Sequence, residues 1–374
     1  MPTFNGTLTA NEIYTALYNM IISQRVYDIT TADPSLANAL RVDGTLYGDT
    51  KLYTSMDIGE SYDWLNDAEA ENLLKLNRNK TQNTQAIKLD KFRQTNVTVD
   101  NYLSKRAWMT EGAFNDFNGV LISSLSGVKR IYDNGIINTF VGTQQSQATS
   151  GVIEIAKAVP GDNDTTESVN RLTAQTVAEK FADLAVDLGD NTRAYNELGY
   201  TRSTPISECA VVWNSAIYNK ILKVDLPTIF HKDGLEPKAN FVLPSRYFGV
   251  VNAAATQGNT ATITTADGRT VPGPGVNGAV RSLIEQTIGN VHYFPGDAIA
   301  QGAEAPAGTS YTEDSENIIC KVFPFEAVPF MSSFETGTMF NNPRSLTDTH
   351  YLTWGHNTLE RIKEKPFVTM KFGA

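Results

Sequence analysis

Cysteine is nearly missing from this chain. Cys209 and Cys320 are the only two among 374 residues, and each sits inside an apolar run, ECAVVW and NIICKVF. That excludes a disulfide framework and a Cys-rich zinc site, and leaves both thiols as small buried hydrophobes. Histidine is scarce too: His231, His292, His350 and His356 form no H-x-x-x-H pair, so no metal is expected. No apolar run approaches the ~20 residues that span a bilayer. The opening MPTFNGTLTANE lacks both the basic and the apolar segment of a secretory leader, so a soluble, non-exported protein is expected, with no membrane partner. Positive charge is in deficit, 31 Lys+Arg against 41 Asp+Glu, for a net charge of -10. Such a chain has no global attraction to phosphate backbones. Neither a G-x-S-x-G elbow nor a G-x-x-x-x-G-K-[ST] loop occurs.

What is present is apolar material for a large core, 41% hydrophobic residues with 10% aromatic, spread over a length that suits two or three domains. Residues 11–26 show helical spacing of apolar positions, followed by a stretch with Asp33, Pro34 and Gly44 that reads as extended. Residues 1–44 are therefore expected to form an arm packing on another subunit, in preference to a helix closing the main core. From Gly48 to Met109, strand-like runs (KLYTSMDI, TQAIKLDKF, TNVTVDNY) bracket the polar LNRNKTQNTQ, which has little to bury and suits the tip of a projecting β-hairpin. Charge is sorted along this part: residues 1–75 carry 4 Lys+Arg against 11 Asp+Glu, and residues 78–106 carry 7 against 2. An acidic arm and a basic finger can attract each other.

Residues 111–141 form the longest helical pattern, from Phe114 and Phe117 to Tyr132 and Ile136, and Gly119, Gly127 and Gly135 within it call for something packed close against the helix. After a polar linker, a second helix is predicted over 174–188, capped by Thr173, stapled by Leu172 on Val177 and ended at Gly189. ECAVVW reads as a core strand, SAIYNKILK as a short helix, and ANFVLPSRYFGVV as strands broken at Pro244. A further helix is placed at 279–288, and HYLTWGHN and PFVTMKF close the chain as two strands. The sum is an α+β protein.

One enzymatic signal stands out. Gly273, Gly275 and Gly278 spell G-x-G-x-x-G before a helical pattern, with Asp297 about twenty residues on, the outline of a dinucleotide site. The preceding TTADGRTVP is polar and turn-rich where a buried parallel strand belongs, and Pro272 and Pro274 stiffen the turn, so a loop is the better reading and no cofactor is assigned. Carboxylates such as Asp187, Asp190, Glu313, Asp314 and Glu316 fall at loops and helix ends, where they are ordinarily solvated. No catalytic residue is assigned, and the chain is not expected to be an enzyme.

The order of these parts resembles the major capsid protein of tailed phages, with its Hong Kong 97-like fold. Four segments carry the resemblance: YLSKRAWMTEGAFNDFNGVLISSLSGVKRIYDNGI, TAQTVAEKFADLAVDLG, ECAVVWNSAIYNKILK and HYLTWGHNTLERIKEKPFVTMKF. The resemblance implies an N-terminal arm over 1–44, an extended β-hairpin loop over 45–104 that overlaps a neighbouring subunit, a peripheral domain with the spine helix over 105–143 and 341–374, and an axial domain over 144–340. It implies a structural subunit, assembled in the host cytoplasm and resident in the virion. Copies would form pentamers and hexamers of an icosahedral head around packaged double-stranded DNA, enclosed without sequence-specific binding. Scaffolding, portal and cement proteins are the implied partners. Lys80, Lys88, Lys91 and Arg93 are the inter-subunit contact candidates. Some family members cross-link a loop lysine to an asparagine; Lys80, Lys88 and Lys91 with Asn357 are the counterparts here, and no cross-link is expected. The alternatives are an encapsulin-type nanocompartment shell, which shares the fold, and a dinucleotide-dependent enzyme using Gly273 to Gly278.

Overall fold

The computed structural model describes residues 35–42, 50–59, 82–100, 111–161, 165–222, 237–251, 317–332 and 334–373, with short strand pieces between 262 and 313. The expected helix at 11–26 and most of the one at 279–288 lie outside these residues. Gln286–Ile288, its last three residues, are instead a strand paired antiparallel with Val291–Tyr293.

Two sheets organise the described chain. The first has five strands: β4 (Val152–Ile155), β5 (Cys209–Asn214), β6 (Ala239–Leu243), β7 (Ile318–Pro324) and β11 (Val368–Phe372), in the order β4-β11-β7-β5-β6. β5 and β7 are buried at every residue, which explains their unbroken apolar sequences: a strand covered on both faces has no polar side to alternate with. On one face lies helix α3 (Thr166–Gly189), whose Val177, Phe181, Leu184 and Leu188 pack on Val211, Trp213 and Met370. On the other lies the C-terminal half of helix α2 (Glu111–Thr143), where Tyr132, Ile136, Ile137, Phe140 and Val141 share a core with Val212 and Phe323. Lys321 is fully buried on this face, and its ammonium donates to Gln144 O (2.8 Å) and Thr369 Oγ1 (3.0 Å) just past the C-terminus of α2, where the helix dipole favours a cation.

The second sheet has four antiparallel strands in the order β9-β10-β3-β2: β2 (Thr50–Met56), β3 (Gln82–Asp100), β9 (Phe334–Asn342) and β10 (Thr347–Asn357). Its inner side meets α2, with Tyr132 edge-on to Trp354 at 5.9 Å and its hydroxyl hydrogen-bonded to His356 Nε2 at 2.8 Å.

Three expectations change. α3 begins eight residues before the predicted 174, because Thr165 caps it by accepting from Ser168 N–H, while Thr173 is an interior position whose hydroxyl donates to Val169 O. Leu172 is exposed and staples nothing. The two runs TQAIKLDKF and TNVTVDNY merge into the single long strand β3. Finally, the described end of the expected arm packs on its own chain. Leu36 and Ala37 of helix α1 (Ser35–Ala39) and Leu40, in the turn before β1 (Arg41–Val42), are buried in the α2 core, and β1 pairs in parallel with β8 (Phe330–Met331).

Candidate assembly surface

The hairpin expected between residues 45 and 104 is present as β2 and β3, paired from Thr50 opposite Lys88 to Met56 opposite Gln82. Period-two alternation sorts its side chains. Ser55 is buried and Tyr53 half-buried against the body, while Leu52, Thr54 and Met56 face outward beside Ala86, Thr84 and Gln82. Beyond the hairpin β3 pairs with β10, with Asp90 skipped at a bulge between Leu89 opposite Asn357 and Lys91 opposite His356. Asp90 is used there: its carboxylate accepts from Thr358 N–H (2.7 Å) and Thr358 Oγ1 (2.5 Å).

The root of the hairpin is clamped by a polar joint. Asp57 accepts from Thr201 N–H and from Ile58 N–H, both at 2.9 Å, and pairs with Arg193 at 3.3 Å. The Thr201 hydrogen bond holds its carboxyl below the usual carboxylate range, with the Ile58 amide and Arg193 acting the same way. Arg202 donates to Met56 O (2.6 Å) and to Glu364 (2.7 Å). Gln85 donates to Arg361 O and accepts from Lys363 N–H, and Arg361 pairs with Glu197 at 2.7 Å. Burial pushes the Glu197 carboxyl up, but Arg361 and the Gln147 amide outweigh it and its acidity ends above that of a free glutamate. Three stretches far apart in sequence, 56–58, 193–202 and 358–364, meet here, and nothing in their order along the chain signals it.

The candidate residues divide by position. Lys88 and Lys91 are exposed on the hairpin and its continuation. Arg93 is half-buried, its guanidinium 5.5 Å from the Tyr132 ring centroid, so it faces its own body. Lys80 lies outside the described residues. Asn357 is buried, its amide donating to Pro329 O and Thr358 O and accepting from Met331 N–H. That side chain is committed to its own fold.

The glycine run Gly273 to Gly278 is outside the described residues, but the strand leading to it, Thr270–Pro272, pairs antiparallel with Thr262–Thr264. That is a hairpin, not the parallel strand of a dinucleotide fold. Among the described residues, no three His, Cys, Asp or Glu side chains converge as a metal site, and no helix is long and apolar enough to cross a membrane. Burial pushes the Cys209 thiol up to about 12 and raises that of Cys320, so neither is a ready nucleophile.

What the geometry offers is surface for binding, carried on a fold that recurs in the shells of phages. The capsid structure of Staphylococcus phage Andhra contains a chain with TM-score 0.63 and 12% identity, covering 100% of this chain and 88% of that one. A chain in the structure of head fiber and inner core protein gp22 of native bacteriophage P68 gives TM-score 0.62 and 12% identity, covering 95% and 88%. A comparison with curated proteins returned no match. Residues 5–361 match the model of the Phi29-like phage major capsid protein, and the chain belongs to that family. It is a structural subunit of a phage head shell.

Proposed function

We propose that copies of this chain form pentamers and hexamers that tile an icosahedral head around packaged double-stranded DNA. The fold would divide in the Hong Kong 97-like manner: arm over 1–44, extended loop over 45–104, peripheral domain over 105–143 and 341–374, axial domain over 144–340. The observation that carries the reading is the family match over residues 5–361 together with the likeness of the whole fold to phage capsid chains. In this reading the β2–β3 hairpin reaches a neighbouring subunit, with Lys88 and Lys91 at the contact. Assembly takes place in the host cytoplasm with scaffolding and portal proteins, and cement proteins are further partners.

The physics of a shell fits such a surface. Each subunit makes several modest contacts, and closure multiplies them, so no single one has to be tight. Ionic contacts at exposed positions are weak and reversible one by one, which lets misplaced subunits leave before the shell closes. Negative-stain electron microscopy of the purified protein tests the reading: closed shells or ring-shaped capsomers are expected, and a strictly monomeric species at high concentration would contradict it.

A further inference from the structure

Where β9, β10 and β3 lie side by side, the outer face of their sheet carries three successive rows without a charge. Thr336, Thr338 and Phe340 of β9 stand opposite Thr353, Tyr351 and Thr349 of β10. On β3 the same rows continue as Gln94, Asn96 and Thr98, and the uncharged run ends at Asp100, paired with Thr347. Trp354 and Leu352, at the alternate positions, pack into the α2 core. The β9 and β3 members are exposed, Phe340 by 60%, and the β10 members between them are half-buried. Gln94 donates to Thr353 Oγ1 at 2.9 Å, and the Thr98 and Thr349 hydroxyls are hydrogen-bonded at 3.1 Å, so the surface is tied together from strand to strand. Gln94, Thr338, Met339, Phe340 and Tyr351 line a shallow depression on it.

We propose that this face pairs with the same face of a second copy across a two-fold axis. The chain has a net charge of -10, so copies repel one another on average, and a charge-free face is where they meet without like charges in apposition. Hydroxyls and side-chain amides each donate and accept, so such a face complements itself under a two-fold rotation, as a row of lysines or carboxylates does not. DNA is a poor occupant, because these rows hold no Lys or Arg to offset a phosphate. Self-association is not guarded against either. β9 is the edge of the sheet, and from Thr336 to Asn342 it has neither charge nor proline, the usual means of keeping copies apart. Size sets the strength: three strands about 4.8 Å apart and five residues long present roughly 300 Å², well under the ~800 Å² per partner of a stable complex. The pair therefore holds where a shell supplies other contacts at the same time.

The proposal rests on the chain building shells and not on the hairpin contact. Its test charges the middle row, with Thr338→Glu and Asn96→Glu in one variant and Thr338→Lys and Asn96→Lys in another. A two-fold contact sets each variant's charges against their own copies, so each alone should lower the assembled fraction several-fold, most at low salt. Both positions are exposed, so both variants should melt with the parent. Mixed one to one, the two should recover assembly toward the parental yield, which identifies the partner as the same face of another copy. Parental assembly by either variant alone overturns the proposal. Variants that fail alone and fail mixed give the face to another occupant, a glycan or a different protein, and overturn it as well. Should either variant melt early, Tyr351→Cys at the centre of the rows supplies the readout. Oxidation of its shells should give covalent dimers and nothing larger, since Cys209 and Cys320 are fully buried and stay silent; shells without dimers overturn the pairing. The parent, run beside the variants, tests the shell reading by itself, and a parent that builds no shells overturns that reading and this one with it.

Discussion

Asp133 is a buried carboxylate on α2 with cations on two sides. Arg41 of β1 reaches it at 3.5 Å, and Lys129 lies one helical turn away, itself paired with Glu335 of β9. Burial nevertheless dominates, raising its pKa from 3.8 to about 6, and its Oδ1 has no hydrogen-bond partner. A raised carboxyl pKa means that the folded chain holds this proton more tightly than the unfolded one. The stabilisation is fully present below pH 3.8 and is lost as pH rises through 6. Asp133→Asn should remove that slope, leaving the variant more stable than the parent above pH 6 by an amount on the order of 2 kcal/mol, with the gap closing near pH 4. Denaturant midpoints of both proteins across that range check it, and a gap that widens toward acid would refute the assignment. At Gly142 the opposite holds, since an added Cβ would stand 2.1 Å from Tyr247 O. Gly142→Ala should therefore destabilise by about 1–3 kcal/mol through overpacking. Gly119→Ala, with nothing within 4 Å, should gain up to about 1 kcal/mol. Thermal melts of the two variants should move in opposite directions. The sequence directs attention to Gly119 because it lies in the middle of a helical pattern, yet the close approach is at Gly142. A contact with Tyr247, over a hundred residues away, leaves no trace in local spacing.

Elements were legible wherever one face of a segment is wet and the other dry, or where both are dry. β5, α3 and the strands of the hairpin follow from their own patterns. Their partners do not, because strand pairing depends on the rest of the chain: HYLTWGHN and PFVTMKF follow one another in sequence but fall in different sheets, as β10 and β11. The start of α3 was missed for a local reason, since both Thr165 and Thr173 are good caps and only the burial of Thr173 decides between them. The joint at the hairpin root was invisible for the same reason as the pairing. Its strongest member is Arg202, which grips Met56 O and Glu364 together. Arg202→Ala should cost about 1–3 kcal/mol of local stability, as expected when a hydrogen-bonded charge is removed. The loss should appear as faster amide exchange confined to 50–58 and 82–88 with little change in α3. Uniform acceleration across both sheets would show that the joint supports the whole fold instead.

The described residues are organised by two main sheets with α2 between their cores, and the hairpin strand β3 belongs to that frame as much as to the surface. It is flanked by β10 along 89–100 and by β2 along 82–88, so removing residues 78–95 would take out the middle of a sheet and unfold the subunit. The connection between the strands is a different matter. Met56 pairs with Gln82, so a short turn replacing residues 61–80 leaves every described pairing of β2 and β3 in place. Shortening a connection lowers its closure entropy, and by no more than about 1 kcal/mol. The shortened chain should therefore melt within a few degrees of the parent. If that connection is the part that overlaps a neighbour, the same chain should fail to build shells, running as subunits or small rings in sedimentation under conditions where the parent sediments as closed particles. Folding and assembly are thus read in one sample. A folded variant without shells assigns the connection to assembly, and shells at parental yield would remove it from the contact and leave the flat face of the hairpin as the grip.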